Sequence, residues 1–124
     1  MFEHARAFAS YAVPDVDAVR TFYAETLGLR TSVNEWGVLV LAIEESHDVM
    51  IYPKPDHAPA TFTVLNFPVE DIDRTVDALA ERGVEFERYE GLDHDERGIV
   101  RGSGPTIAWF CDPAGNILSV VENV

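Results

Sequence analysis

Val13-Pro14-Asp15-Val16-Asp17 opens a pattern that returns as Val69-Glu70-Asp71-Ile72-Asp73, with 56 residues separating Val13 from Val69 in a chain of 124. A strand-like run precedes each copy, a helix-like run follows it as far as Gly28 or Gly83, and further strand-like runs come after. An offset near half the chain length points to a duplicated β-α-β-β-β module and a symmetric cleft. Half of this length buries too little surface to be stable alone, so the two modules, about 1–57 and 58–124, are expected to share one domain.

Ahead of the first copy, odd positions Ala5, Ala7, Ala9, Tyr11 and Val13 form a small, apolar strand face suited to a helix, while His4, Arg6, Phe8 and Ser10 form a mixed one. Asp15 reads as a helix N-cap. Val16, Val19, Phe22, Tyr23 and Leu27 then recur at helical spacing until Gly28. Strands are expected over 30–34, 38–43 and 49–52. Pro53-Lys54-Pro55-Asp56-His57-Ala58-Pro59 is the linker, because proline cannot donate to a sheet ladder. In the second half, strands are expected over 61–69, 84–89, 106–111 and 117–121. Ile72, Val76, Leu79 and Ala80 line a helix, and the polar stretch 91–104 forms the longest loop, either a lid or a plain connection.

Composition narrows the function classes. Hydrophobic residues at 47% and charged ones at 25% describe an ordinary globular chain. Nine basic residues against 22 acidic ones give a net charge of -13, which sets the protein against nucleic acid and anionic lipid. No apolar run approaches the roughly 20 residues of a membrane span. Met1-Phe2-Glu3-His4-Ala5-Arg6 lacks a signal-peptide profile, so the cytoplasm is the expected compartment. Cys111, the single cysteine, reads as a buried strand residue. The four histidines have no metal-ligand spacing; His47, His57 and His94 fall in loops, where solvent exposure is the plain expectation. His57, beside Asp56 in the linker, is with Tyr52 the one candidate acid-base pair.

Asp15-Val16-Asp17 followed by Phe22-Tyr23-Ala24-Glu25-Thr26-Leu27-Gly28-Leu29, then Gly83-Val84-Glu85-Phe86, then Asp112-Pro113-Ala114-Gly115-Asn116, resemble the vicinal oxygen chelate superfamily. That group includes glyoxalase I, bleomycin resistance proteins, fosfomycin resistance enzymes and extradiol dioxygenases. The resemblance implies an α+β fold: two tandem β-α-β-β-β modules forming an eight-stranded, cup-shaped mixed sheet with two helices outside, usually as a homodimer. It also implies a divalent metal held by His, Gln or Glu at positions that fall here on Phe8, Met50, Val64 and Ser119. These residues do not make a nitrogen and carboxylate shell. No metal or other cofactor is therefore expected, and a divalent metal would need an atypical shell.

Strand parity places Phe8, Ser10, Met50, Tyr52, Lys54, Val64 and Asn66 toward the cup. The resemblance adds Trp109, where related resistance enzymes contact their ligand, and Ser119 on the last strand as ligand-binding candidates. Aromatics, a methionine and a few hydrogen-bonding groups suit an apolar or aromatic small molecule. Binding and sequestration, in the manner of bleomycin resistance proteins, is the leading expectation. The alternative is a glyoxalase-like lyase, isomerase or dioxygenase with an atypical metal shell or a metal-free acid-base site. Asp112-Pro113-Ala114-Gly115-Asn116 reads as a hairpin turn rather than a catalytic motif.

Overall fold

The computed structural model describes residues 1–102 and 104–122; Ser103, in the expected loop, and Asn123 and Val124, in the expected second module, lie outside the described residues. Two compact units emerge, Met1–Ala58 and a second beginning at Pro59. Among the described residues, no helix is long and apolar enough to cross a membrane.

In the first unit, strand β1 (Ala9–Val13) leads into helix α1 (Val16–Thr21). Asp15 caps it by accepting the Asp17 backbone N–H at 3.0 Å. The helix then widens into one π turn over Phe22–Thr26, with the Leu27 N–H donating to the Phe22 carbonyl. Gly28 ends it at φ +71°, a conformation that suits glycine. Strands β2 (Arg30–Val33), β3 (Leu39–Ala42) and β4 (Val49–Pro53) complete a sheet of order β1-β4-β3-β2, with β1 parallel to β4. Tyr11, Ile51 and Leu39 lie opposite one another across three strands and are buried, as are Val16, Val19 and Tyr23 on the helix. The buried Tyr23 hydroxyl meets that of Tyr11 at 2.8 Å.

The first strand is shorter than its alternation suggests. It begins at Ala9, paired with Val49 at the start of β4, so among the described residues the chain before Ala9 has no ladder partner. Ala5, Ala7 and Ala9 are exposed instead of facing a helix.

The second unit repeats the arrangement with β5 (Thr63–Val69), α2 (Ile72–Glu81), β6 (Thr106–Cys111) and β7 (Ile117–Glu122), in sheet order β5-β7-β6. Asp71 caps α2 through the Arg74 N–H, and the Glu122 carboxylate takes the Ile72 N–H at 2.8 Å, fastening the helix start to β7. Ile72, Val76 and Leu79 are buried, together with Ala108, Phe110, Leu118 and Val120 of the sheet. Segment 84–89 runs beside β6 only briefly, through the Phe86–Phe110 bridge and the Glu87 N–H to the Trp109 carbonyl. It accounts for the difference between eight expected strands and the seven formed among the described residues.

Loop 91–102 is anchored rather than loose. His94 bridges to Val100, Val100 bridges to Ile107, and Ile99 and Val100 are buried. The Asp95 carboxylate takes the Arg97 and Ile99 N–H groups at 2.9 Å each. Arg97 reaches Asp77 at 2.8 Å and Arg101 reaches Asp73 at 2.7 Å, tying the loop to α2.

Candidate functional site

The central strand β7 places Ser119 between Asn66 of β5 and Trp109 of β6, so these three share one row across the sheet. This is the face opposite Leu118 and Val120. The Ser119 hydroxyl, fully buried, donates to Asn66 Oδ1 at 2.5 Å, while Asn66 itself is exposed. Trp109 is half-buried, and its Nε1–H donates to Thr63 Oγ1 at 3.0 Å.

Thr63 joins this face because of a bulge that simple alternation hides. Thr63 pairs with Ile117 and Leu65 with the next residue, Leu118, leaving Val64 as the extra residue with no partner on β7. Strand parity assigned Val64 and Asn66 to the same face. In the folded sheet the bulge resets that parity, and Thr63 takes the place beside Trp109.

Three aromatic rings meet at the β6 end of the row. Tyr89 lies 5.4 Å from Trp109 in a T-shaped contact, and His94 lies 6.1 Å from Trp109. Contrary to the expectation of an exposed loop histidine, His94 is half-buried with both ring nitrogens engaged. Nε2 accepts the Tyr89 N–H at 2.9 Å and Nδ1 donates to the Gly98 carbonyl at 2.8 Å, which specifies the neutral Nδ1–H tautomer. The Tyr89 hydroxyl oxygen is buried with no hydrogen-bond partner among the described residues. Burial raises its pKa, with Cys111 and Glu87 adding to the effect.

One row along, Cys111 donates to Glu87 at 2.9 Å. Burial first, then this bond and the negative charge of Glu87 and Asp112, push the thiol up to about 12. Cys111 is thus a protonated thiol rather than a nucleophile. The turn at Asp112 is structural, as its composition suggests: the buried carboxylate accepts from the Ala114 and Asn116 N–H groups and the Asn116 side chain.

In the first unit, Ser10 lies opposite Met50 and Ala12 opposite Tyr52, on the sheet face turned away from Tyr11 and Ile51. Phe8 and Met50 converge with Arg6, Ser46, His47 and Asp48 around an open pocket of about 260 Å³. Phe8 is 62% exposed and Tyr52 40% exposed. Lys54 is drawn to Asp56 at 2.6 Å, and the His57 backbone N–H closes a turn onto the Lys54 carbonyl.

The positions expected for metal ligands therefore carry a phenyl ring, a thioether, an isopropyl group and a hydroxyl committed to Asn66. They do not fit a divalent metal. Among the described residues, no three His, Cys, Asp or Glu side chains converge elsewhere for that purpose.

Glu87, Tyr89, His94 and Thr63 escaped the sequence-based reading of this site. For Thr63 the obstacle is the bulge. For the others it is the folding back of loop 91–102, which no local periodicity announces.

The fold is shared with several solved structures. A Glyoxalase/bleomycin resistance protein/dioxygenase superfamily member from Sphaerobacter thermophilus is 22% identical with a TM-score of 0.74, the match covering 99% of this chain and 100% of that one. An antibiotic-binding protein from a Streptomyces species is 22% identical with a TM-score of 0.70, covering 94% and 93%. A lactoylglutathione lyase from Agrobacterium tumefaciens is 18% identical with a TM-score of 0.70, covering 97% and 94%. No curated protein matches the chain. The sequence profile of the Glyoxalase/Bleomycin resistance protein/Dioxygenase superfamily matches residues 3–120, and the chain belongs to that superfamily.

Proposed function

We propose that this protein binds a small, largely apolar or aromatic molecule and sequesters it without a metal and without chemistry, as a cytoplasmic homodimer whose two modules act as one domain. The observation that carries this reading is the row Asn66, Ser119, Trp109. At a place where a metal enzyme of the superfamily would present a carboxylate, Ser119 holds a neighbouring amide next to an indole ring. An aromatic surface with a few directional polar groups supports binding of an aromatic ligand. The lyase and the antibiotic-binding protein share the fold, so fold alone does not choose between them. The donor set favours binding.

A thermal-shift screen of aromatic small molecules, repeated with EDTA and with added Zn²⁺, Ni²⁺ or Mn²⁺, tests the reading. Stabilisation by a ligand that is the same in all conditions is expected. Binding or turnover that requires the metal would overturn it in favour of a lyase or dioxygenase with an atypical shell.

A further inference from the structure

The hydrogen-bond valences of the face that carries Asn66, Ser119 and Trp109 are unevenly spent. The 2.5 Å separation between Ser119 Oγ and Asn66 falls in the range of O–H···O bonds and below that of N–H···O bonds, so the amide oxygen faces Ser119. That orientation turns the Asn66 NH₂ group away from β7, and among the described residues no acceptor pairs with it. At Thr63 the oxygen receives the Trp109 N–H, which leaves the hydroxyl proton to be donated. The Tyr89 ring packs on Trp109, and its buried hydroxyl has no hydrogen-bond partner among the described residues, as donor or as acceptor. The Glu87 carboxylate receives the Cys111 thiol. Around Trp109, the Asn66 NH₂ and the Thr63 hydroxyl proton are donors that meet no acceptor among the described residues.

We propose that the Ser119–Asn66 pair makes this face a reader of hydrogen-bond acceptors: the ligand is an aromatic molecule carrying a carbonyl or similar acceptor oxygen, which takes the Asn66 N–H while its ring lies against Trp109. This rests on the binding reading above and narrows its ligand class. Ser119 is the positioning residue. Without its hydroxyl the Asn66 amide is free to turn over and offer its oxygen instead, and discrimination between acceptor-bearing and plain aromatics is lost.

Matched fragments test this. The ¹⁵N-labelled protein is titrated with 1-indanone and with indane, following the Asn66 side-chain NH₂ and the Trp109 indole N–H by NMR. 1-Indanone is expected to bind about fivefold more tightly than indane, the worth of one hydrogen bond, and to shift both signals. Ser119→Ala should bring the ratio of affinities toward one, Ser119→Thr should keep it, and Asn66→Asp, which removes both N–H donors, should abolish the preference even if Ser119→Ala folds poorly. Equal affinity of the two fragments at Trp109 in the wild type would overturn the acceptor reading and leave the binding reading standing. A ratio that survives Ser119→Ala would overturn the positioning role. Failure of both fragments to move either signal at millimolar concentration would overturn both readings.

Discussion

The Cys111 thiol, at the end of β6, donates across 2.9 Å to the Glu87 carboxylate of segment 84–89, which pairs only briefly with that strand. The folded protein keeps the proton on sulfur to about 12 against an ordinary 9.0, chiefly through burial and then through Glu87. Alkylation by iodoacetamide at pH 8 should be much slower than for the unfolded chain, and Glu87→Gln should speed it in the folded state by lowering the thiol pKa. Equal rates in the two folded proteins would contradict the pairing.

The same shift gives stability a direction with pH. A group whose pKa is raised by folding leaves stability intact below its unfolded value and removes it as pH climbs toward the folded one. Between about pH 9 and 12 the protein should lose stability progressively, with Tyr89 acting in the same sense. Urea titrations across this range should show a shallower loss for Cys111→Ala.

On the acid side the relevant group is Asp95. Desolvation is the largest single influence and pushes its pKa up, but the Ile99 and Arg97 N–H groups together with Arg101 and Arg97 outweigh it, so the net shift is downward. Its contribution is therefore present above the ordinary carboxylate range and fades as pH falls through the lowered value. Asp95→Ala removes two backbone hydrogen bonds and should cost about 1–2 kcal/mol by chemical denaturation.

Gly98 adopts φ +94°, and an added Cβ would stand 2.9 Å from the Phe86 Cβ. Strain and crowding combine there, so Gly98→Ala should destabilise by roughly 2–3 kcal/mol. Its loss should also loosen His94, which bonds to the Gly98 carbonyl. Faster amide hydrogen exchange across 94–100 is the local readout. Arg97→Ala, by contrast, removes two solvent-exposed ion pairs, to Asp73 and Asp77, and should cost about 1 kcal/mol or less, showing that the loop is held mainly by its backbone and buried Ile99 and Val100.

Much of this architecture is written in local pattern. Asp15 and Asp71 cap their helices at equivalent places in the repeat, and Gly28 and Gly83 both take positive φ where the helical spacing stops. Asp112 makes the turn its neighbours imply. Alternation failed where the outcome depends on a partner strand. Ala5 and Ala7 continue the alternating pattern but have no strand to pair with among the described residues, and Val64 keeps the right parity in sequence while a bulge resets that parity in the sheet. The alignment of Asn66 with Trp109 was accessible from the sequence because both lie on the regular side of that bulge. The buried Tyr89 hydroxyl and the fixed His94 tautomer were not, since they arise from a loop returning onto β6.

Two substitutions separate recognition from folding on this face. Asn66→Leu replaces an exposed amide but leaves the buried Ser119 hydroxyl without its acceptor, so it should cost only about 1–2 kcal/mol of stability while weakening ligand binding. Trp109→Ala should lose binding and also stability, about 3 kcal/mol or more, because its ring packs on Tyr89 and His94. Parallel urea melts and titrations distinguish them, and an Asn66→Leu variant with wild-type affinity would remove Asn66 from the site.

Metal-independent binding at Trp109 is tested most directly by its own fluorescence. Trp36 is 75% exposed in the β2–β3 turn, so Trp36→Phe leaves Trp109 as the sole tryptophan at little structural expense. Titrating this variant with 1-indanone should produce a saturable change in emission, identical with EDTA and with added Zn²⁺. Emission that stays constant to saturation of binding measured by calorimetry, or that responds only when the metal is present, would contradict the account.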